Sequence, residues 1–344
     1  MKFFKSIITL SASFLIAFSS LSAQENATVA TNPVGYVELS IGGGSVENPQ
    51  WSFVSLPLQA ATTNVDDSVG VFSNVSSSSF QNSTANWDEN VFSSSLPHYI
   101  RITSGSGIGI ILKITSNTST EVFVDNKGVS LLDAGVIIGD SYEIFPGDTL
   151  LTAFGDDSNG IIGGTSPTNV DTVYILDSGA WGAYYYNTTN AQWRKGALPF
   201  SQNDLPIAPD TSIIFSRVGS SDLKYVFTGR VPVTKLNVAV APLGFTSISS
   251  YFPVAQTLSD IDVETLSWWK SVGDAGVTQN NADKIYLYES GAWAGYHYDT
   301  SISQWRKGAL PFNQNNVQID LSAGILVGRT LGSQTDQIEI EVPY

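Results

Sequence analysis

The stretch DTVYILDSGAWGAYYYNTTNAQWRKGALPF, Asp171–Phe200, returns as DKIYLYESGAWAGYHYDTSISQWRKGALPF, Asp283–Phe312. Trp181 and Trp293 stand 112 positions apart, as do Trp193 and Trp305, so the copies align without a gap. Nine letters, QWRKGALPF at Gln192–Phe200 and Gln304–Phe312, are identical although the residues between the motifs have drifted. Each copy holds two strand-like runs, GAWGAYYY and AQWRKG in the first, parted by four turn-forming residues. The pattern predicts a β-hairpin in each copy.

With Asn187–Asn190 as a four-residue loop, Tyr186 lies opposite Ala191, Tyr184 opposite Trp193 and Gly182 opposite Lys195. Opposed residues share a sheet face. One face then carries Tyr184, Tyr186 and Trp193, which recur as Tyr296, Tyr298 and Trp305 and so read as core. The other carries Trp181, Tyr185, Gln192 and Arg194. Position 185 is His297 in the second copy, an exchange expected at a solvated site. Trp181 would cover the bare backbone of Gly196, and Arg194 would lie diagonally near its ring, a cation–π contact worth about 0.5–1 kcal/mol. Arg194 or Lys195 is expected to pair with Asp171.

Two readings of the repeat follow. In one, WRKGALPF is a packing and turn device, with Trp193 filling a core, Gly196 permitting a bulge and Pro199 ending the strand. In the other, Trp181, Tyr185 and Arg194, with Trp293, His297 and Arg306, form two copies of a ligand-facing patch. Flat rings beside hydrogen-bond donors suit sugars, whose C–H faces are apolar and whose hydroxyls want polar partners.

Weaker echoes flank the repeat. GYVELSI from Gly35 and FVSLPLQAA from Phe53 resemble GRVPVTKLNVAVA from Gly229 and SISSYFPVAQTL from Ser247, and a strand closes each unit, LKYVFTG from Leu223 and DQIEIEV from Asp336. The chain therefore reads as two copies of one β unit, residues 33–228 and 229–344. The first carries an insertion: a polar loop at 64–95, rich in Ser and Asn, then a β meander at 97–146 of short alternating strands ended by Gly, Asn or Asp turns. GDTLLTAFG after it fits a single helical turn.

Composition agrees with an all-β chain. Only 14% of residues are charged against about 25% in ordinary globular proteins, too few for long amphipathic helices. The fold class expected is all-β: two related β-sandwich- or barrel-like units, with a small meander module inserted in the first.

Residues 1–23 read as a signal peptide: Lys2 and Lys5, the apolar SIITLSASFLIAF, then Ser22 and Ala23 at the cleavage site. Export to the periplasm, cell surface or beyond is the expected localisation. Cleavage removes two of the sixteen basic residues and no acid, leaving 14 against 31, a net charge of −17. That balance argues against nucleic acid as a partner. No later run approaches the ~20 apolar residues of a membrane-spanning helix, and the final Tyr344 does not make an outer-membrane barrel without long strands and aromatic girdles. With no cysteine, disulfides and thiol chemistry are excluded.

PVGYVELSI…FVSLPLQ, YIRITSGSGIGIILKITSNTSTEVFVD, AGVIIGDSYEIFPGDTLLTAF and ADKIYLYESGAWAGYHYDTSISQWRKG, in that order, resemble an uncharacterised family of exported, β-rich bacterial proteins. The likeness covers most of the chain after residue 23. The segment ITSG…GIILKITSNTSTEVFVD is also similar to modules of phage-tail and polysaccharide-associated proteins. The family has no established activity, so the resemblance implies export and architecture and transfers no catalytic residue.

Catalytic motifs do not emerge. The two histidines, His98 and His297, fall in non-equivalent places, and no phosphate loop, dinucleotide fingerprint or zinc spacing is present. No cofactor is expected. GDDSNG at Gly155–Gly160 offers Asp156, Asp157 and Asn159 as a weak calcium candidate, for which a plain turn is the simpler reading. The expectation is a non-catalytic exported protein that binds polysaccharide or another envelope component. The alternatives are a carbohydrate-active hydrolase or lyase using acids in a cleft between the units, and a self-assembling surface or matrix protein.

Overall fold

The computed structural model describes residues 33–60, 69–93, 96–177 and 179–344. The proposed signal peptide and the start of the 64–95 segment lie outside them. The chain is all-β.

The repeat builds two antiparallel sheets of five strands. In the first, Gln192–Lys195, Ala180–Asn187, Thr172–Asp177, Ser212–Arg217 and Gln50–Ser55 lie side by side in that order. In the second, Gln304–Lys307, Ala292–Asp299, Lys284–Glu289, Gly324–Arg329 and Gly244–Ser249 take the same order. Registers match at the 112-residue offset: Val173 faces Tyr184 and Phe215, as Ile285 faces Tyr296 and Val327. The second copy's tight turn at Ser290 and Gly291 has φ of 49° and 84°, the all-positive turn whose twist matches flanking strands.

Each sheet buries one face against a two-stranded ribbon. Val34–Ile41 pairs with Leu223–Arg230 in the first, and Leu236–Val240 with Asp336–Ile340 in the second. Strand alternation sorts the side chains. Leu39, Ile41, Leu223 and Tyr225 of the first ribbon meet Val173, Ile175, Tyr184, Tyr186, Trp193, Ile213 and Phe215 of its sheet. Leu236, Val238, Ile338 and Ile340 meet Ile285, Leu287, Tyr296, Trp305, Ile325 and Val327 in the second. The Leu223–Arg230 strand runs across position 228, so the ladder extends two residues past the boundary expected between the units. GDTLLTAFG forms a short helix, Leu150–Phe154, capped by Thr149.

The insertion is larger than the meander at 97–146. The segment expected to be a polar loop supplies three strands, Val69–Val71, Asn74–Val75 and Ser79–Gln81. They join His98–Ile102, Ile111–Asn117, Glu121–Asp125 and Ser141–Pro146 in one seven-stranded sheet. Val69–Val71 and Asn74–Val75 are its two edges, yet only Phe72 and Ser73 separate them in the chain. The sheet must therefore curl back on itself, because the three steps from Val71 to Asn74 span at most about 11 Å. Phe72, Phe80, Trp87 and Phe92, scattered among serines and asparagines, fill its interior with Ile100, Ile102, Ile114, Val122 and Ile144. The apolar minority of that stretch decides its structure.

A buried charged cluster fastens the insertion to both sheets' neighbourhoods. Glu143 accepts from Arg101 at 2.5 Å and also pairs with Arg230, while Arg101 donates to the Tyr251 hydroxyl at 2.5 Å and to Gln59 at 3.3 Å. Burial alone would raise the Glu143 carboxyl, but the two guanidinium groups outweigh it and hold the carboxyl below its usual range.

The two sheets meet through reciprocal contacts. Ser55 N donates to Ser322 O at 2.8 Å, and Ser249 N donates to Asp210 O at 3.0 Å. Ser55 and Ser249 occupy matching places on their strands, and Asp210 and Ser322 differ by the same 112 positions. Phe53, Ile214 and Leu326 pack in this junction, flanked by Tyr174, Leu176, Tyr286 and Tyr288.

Candidate ligand groove

Asn187 pairs with Gln192 in the hairpin, so Tyr186 lies opposite Trp193, Tyr185 opposite Arg194 and Tyr184 opposite Lys195. The four-residue loop is shifted one position along the chain from the one the sequence predicts, to Thr188–Ala191. Asn187 explains the difference: its backbone joins the ladder while its side-chain oxygen caps the turn at Asn190 N, 3.1 Å away, and Ala191 closes the loop at φ 50°. The slip is two residues, so side-chain parity is preserved. Trp193 and Trp305 are fully buried.

The nine identical letters form an edge strand that satisfies itself. Trp193 N donates to Asn203 Oδ1 at 2.8 Å and Trp193 O accepts from Gln202 N at 2.8 Å. Leu198 N closes the turn on Lys195 O at 3.0 Å, and Gly196 adopts φ 51°. The second copy repeats each feature, with Asn315, Gln314, Leu310 and Gly308. Lys195 and Lys307 sit over the buried Tyr184 and Tyr296 rings at 5.7 and 5.5 Å. The sheet edge is thereby blocked against pairing. Packing does not require Leu198, Phe200, Leu310 and Phe312, which are all exposed.

The expected Trp–Tyr–Arg patches assemble only in part: Tyr185 lies directly opposite Arg194 and His297 opposite Arg306, but the ring in each pair is buried. Tyr185 is 3% exposed, its hydroxyl accepting from Asn187 Nδ2, and His297 is 4% exposed. Neither occupies a solvated site. Burial first, then the charges of Lys284 and Arg306, push the His297 imidazole below its usual range, and its Nδ1 has no hydrogen-bond partner. Trp181 lies opposite Leu176 rather than Gly196, whose amide instead donates to Ala183 O. Arg306 donates to Pro311 O at 3.0 Å. Among the described residues the cation–π pairs are those of Lys195, Lys307, Arg101 with Phe145, and Arg329 with Trp268, so Arg194 does not ride on Trp181. Asp171 pairs with Arg217 at 2.5 Å, not with Arg194 or Lys195.

What the structure brings together instead is the two tryptophans. Phe53 lies edge-on to both Trp181, at 6.3 Å between ring centres, and Trp293, at 5.0 Å. Trp293 meets Tyr288 at 5.3 Å, and Trp51, two residues from Phe53 on the same strand face, stacks on Tyr174 at 5.3 Å. Phe53 is itself buried, whereas Trp51 and Trp181 are each 37% exposed and Trp293 is 42% exposed. A groove of about 480 Å³ opens beside Phe53, lined by Trp51, Phe53 and Tyr288 with Gln50, Ser290 and Asp320 among its polar groups, while Trp181 and Trp293 flank Phe53 outside that lining. Trp51 and Phe53 did not stand out in the sequence because they lie outside the closely matched stretches 171–200 and 283–312. No protein-family model matches the chain, and no curated protein or solved structure matches it either.

Asp156, Asp157 and Asn159 form a self-capped turn at the surface. Asp156 Oδ1 accepts from Ser158 N and Ser158 Oγ, and Asn159 Oδ1 accepts from Asp156 N. The turn presents Gly155 O to the Trp193 indole at 2.8 Å, which gives the motif a packing role. Among the described residues, no three His, Asp or Glu side chains converge as a metal site, and no helix is long and apolar enough to cross a membrane.

Proposed function

We propose that this is an exported, non-catalytic binding protein whose ligand is a polysaccharide. The observation that carries the reading is the pair of half-exposed tryptophans, Trp181 and Trp293, held by Phe53 beside a groove lined with aromatic and uncharged polar groups. Rings held by neighbours offer flat apolar area without an ordering cost, and the flanking amide and hydroxyls can pair with sugar hydroxyls. The groove lining includes a single carboxylate, Asp320, which favours binding over acid–base hydrolysis with two carboxylates. Affinity electrophoresis through gels cast with soluble polysaccharides tests the reading. Retardation is expected, and the double variant Trp181→Ala, Trp293→Ala should lose it while keeping the native melting temperature within a few degrees.

A second reading, self-association, is favoured by a separate observation: Phe200 and Phe312 are exposed at equivalent loop tips. Sedimentation of the native protein against Phe200→Ser, Phe312→Ser tests it. A dimer or polymer that the variant converts to monomer would support it, and a monomer in both would eliminate it.

A further inference from the structure

We infer that the two sheets form one composite track for a single uncharged polysaccharide chain, not two equivalent sites. This rests on the polysaccharide reading and deepens it. The sequence doubles the tryptophan, and a doubled element ordinarily gives two sites. Here one residue without a counterpart joins them. The place on the second sheet that matches Phe53 is Ser247: Ile214 lies opposite Phe53, and Leu326, 112 positions on, lies opposite Ser247. Ser247 does not enter an aromatic cluster but exchanges hydrogen bonds with the backbone of Ser212, at 3.1 and 2.8 Å. Phe53 instead fills space above Gly324, where an added Cβ would meet its ring at 2.6 Å. Among the described residues Phe53 is the aromatic ring that touches both tryptophans, so the two indoles share one neighbour, with Tyr288 added on the Trp293 side.

Polarity selects the ligand. The groove's lining residues carry no lysine or arginine, and the one charge among them is the Asp320 carboxylate. The chain bears 31 acids against 16 bases. A polyanion such as a polyuronate would meet repulsion along the track, without a cation to offset its desolvation. Arg194 and Arg306, the natural anion partners in the repeat, lie on the edge strands, opposite the buried Tyr185 and His297.

Isothermal titration with two size ladders tests this: neutral β-glucan oligosaccharides and polyuronate oligosaccharides of matched length. The expected result is one neutral chain per protein, affinity that rises with chain length beyond a disaccharide, and at least tenfold weaker polyuronate binding. Trp181→Ala and Trp293→Ala should each weaken binding about tenfold, and the double variant should fall well short of the hundredfold product because the rings share Phe53. Phe53→Leu should reproduce much of the double variant's loss. It keeps an apolar side chain in the junction, and near-ultraviolet circular dichroism checks that the fold persists. Two chains per protein with multiplicative losses would overturn the single track, and tighter polyuronate binding would overturn the neutral ligand. Both outcomes leave the polysaccharide reading standing. Binding of neither ladder would remove that reading and this inference together.

Discussion

The two sheets carry the same buried Asp–Arg arrangement, yet they satisfy it differently. In the first, Asp171 accepts from Arg217 at 2.5 Å and from the amides of Ile162 and Val218 at 2.9 and 2.8 Å. In the second, Asp283 accepts from Lys270 N at 2.9 Å while Arg329 stands 4.0 Å away. Arg329 turns to Asp336 at 2.9 Å and stacks on Trp268 at 4.4 Å. Burial pushes the Asp283 carboxyl above the usual range, against the lowering effect of the Lys270 and Thr330 amides and of that arginine. A duplicated pair has kept its residues and changed its wiring. Retention of residue type is therefore a weak guide to retention of interaction.

The core tryptophans give the largest way to probe the comparison. Trp193→Ala and Trp305→Ala should each cost about 3–5 kcal/mol in chemical denaturation. Trp193→Ala should be the costlier, since it also orphans Gly155 O. Equal losses would mean that the Gly155 hydrogen bond contributes nothing measurable. The acids come next. Asp171→Asn should cost about 3 kcal/mol, because it leaves Arg217 buried without a countercharge. Asp283→Asn should cost about 1 kcal/mol, because Arg329 keeps Asp336. A reversed order would break the contrast.

A smaller effect separates the charged cluster of the inserted sheet from the second sheet by pH. A raised folded-state pKa favours the protonated form, so the Asp283 contribution is present below the unfolded carboxyl pKa of about 4 and lost as pH rises through the folded value. Glu143 has the opposite sign: its depressed pKa makes its contribution present above about pH 4 and lost as pH falls through the folded value. Melting curves from pH 3 to 7 should show Asp283→Asn flattening the decline toward neutrality. Glu143→Gln should flatten the loss toward acid. The smallest effect is at the loop tips, where Phe200→Ser and Phe312→Ser should each change stability by no more than about 0.5 kcal/mol. A larger loss in one copy would show that its loop packs against something the other's does not.

Much of the architecture was legible because duplication supplies an internal control. The 112-residue offset and the alternation of Tyr184, Tyr186 and Trp193 are local signals, and strand parity survives a two-residue slip. The slip itself depended on Asn187 acting as ladder residue and cap at once, which no propensity distinguishes. The insertion was underestimated because Phe72, Phe80, Trp87 and Phe92 are too widely spaced to register as strands by alternation. The candidate site was the least legible part. An outer face reads as solvated only for an isolated hairpin, and which rings converge on Phe53 depends on strands far apart in the chain. The tryptophans were visible, whereas the partners that orient them were not.

The reciprocal amide bonds at Ser55 and Ser249 have the geometry of a self-complementary handshake made within one polypeptide. Two identical subunits joined this way must accept every mutation on both sides of the axis. Fusion lifts that constraint. One arm can hold the joint with a small hydroxyl at Ser247, while the other gives the corresponding place to a phenyl ring that packs against two tryptophans. Changing Ser247 to a bulky residue should therefore be costly, since its hydroxyl holds both the amide and the carbonyl of Ser212, whereas the ring at the corresponding place sits above a glycine.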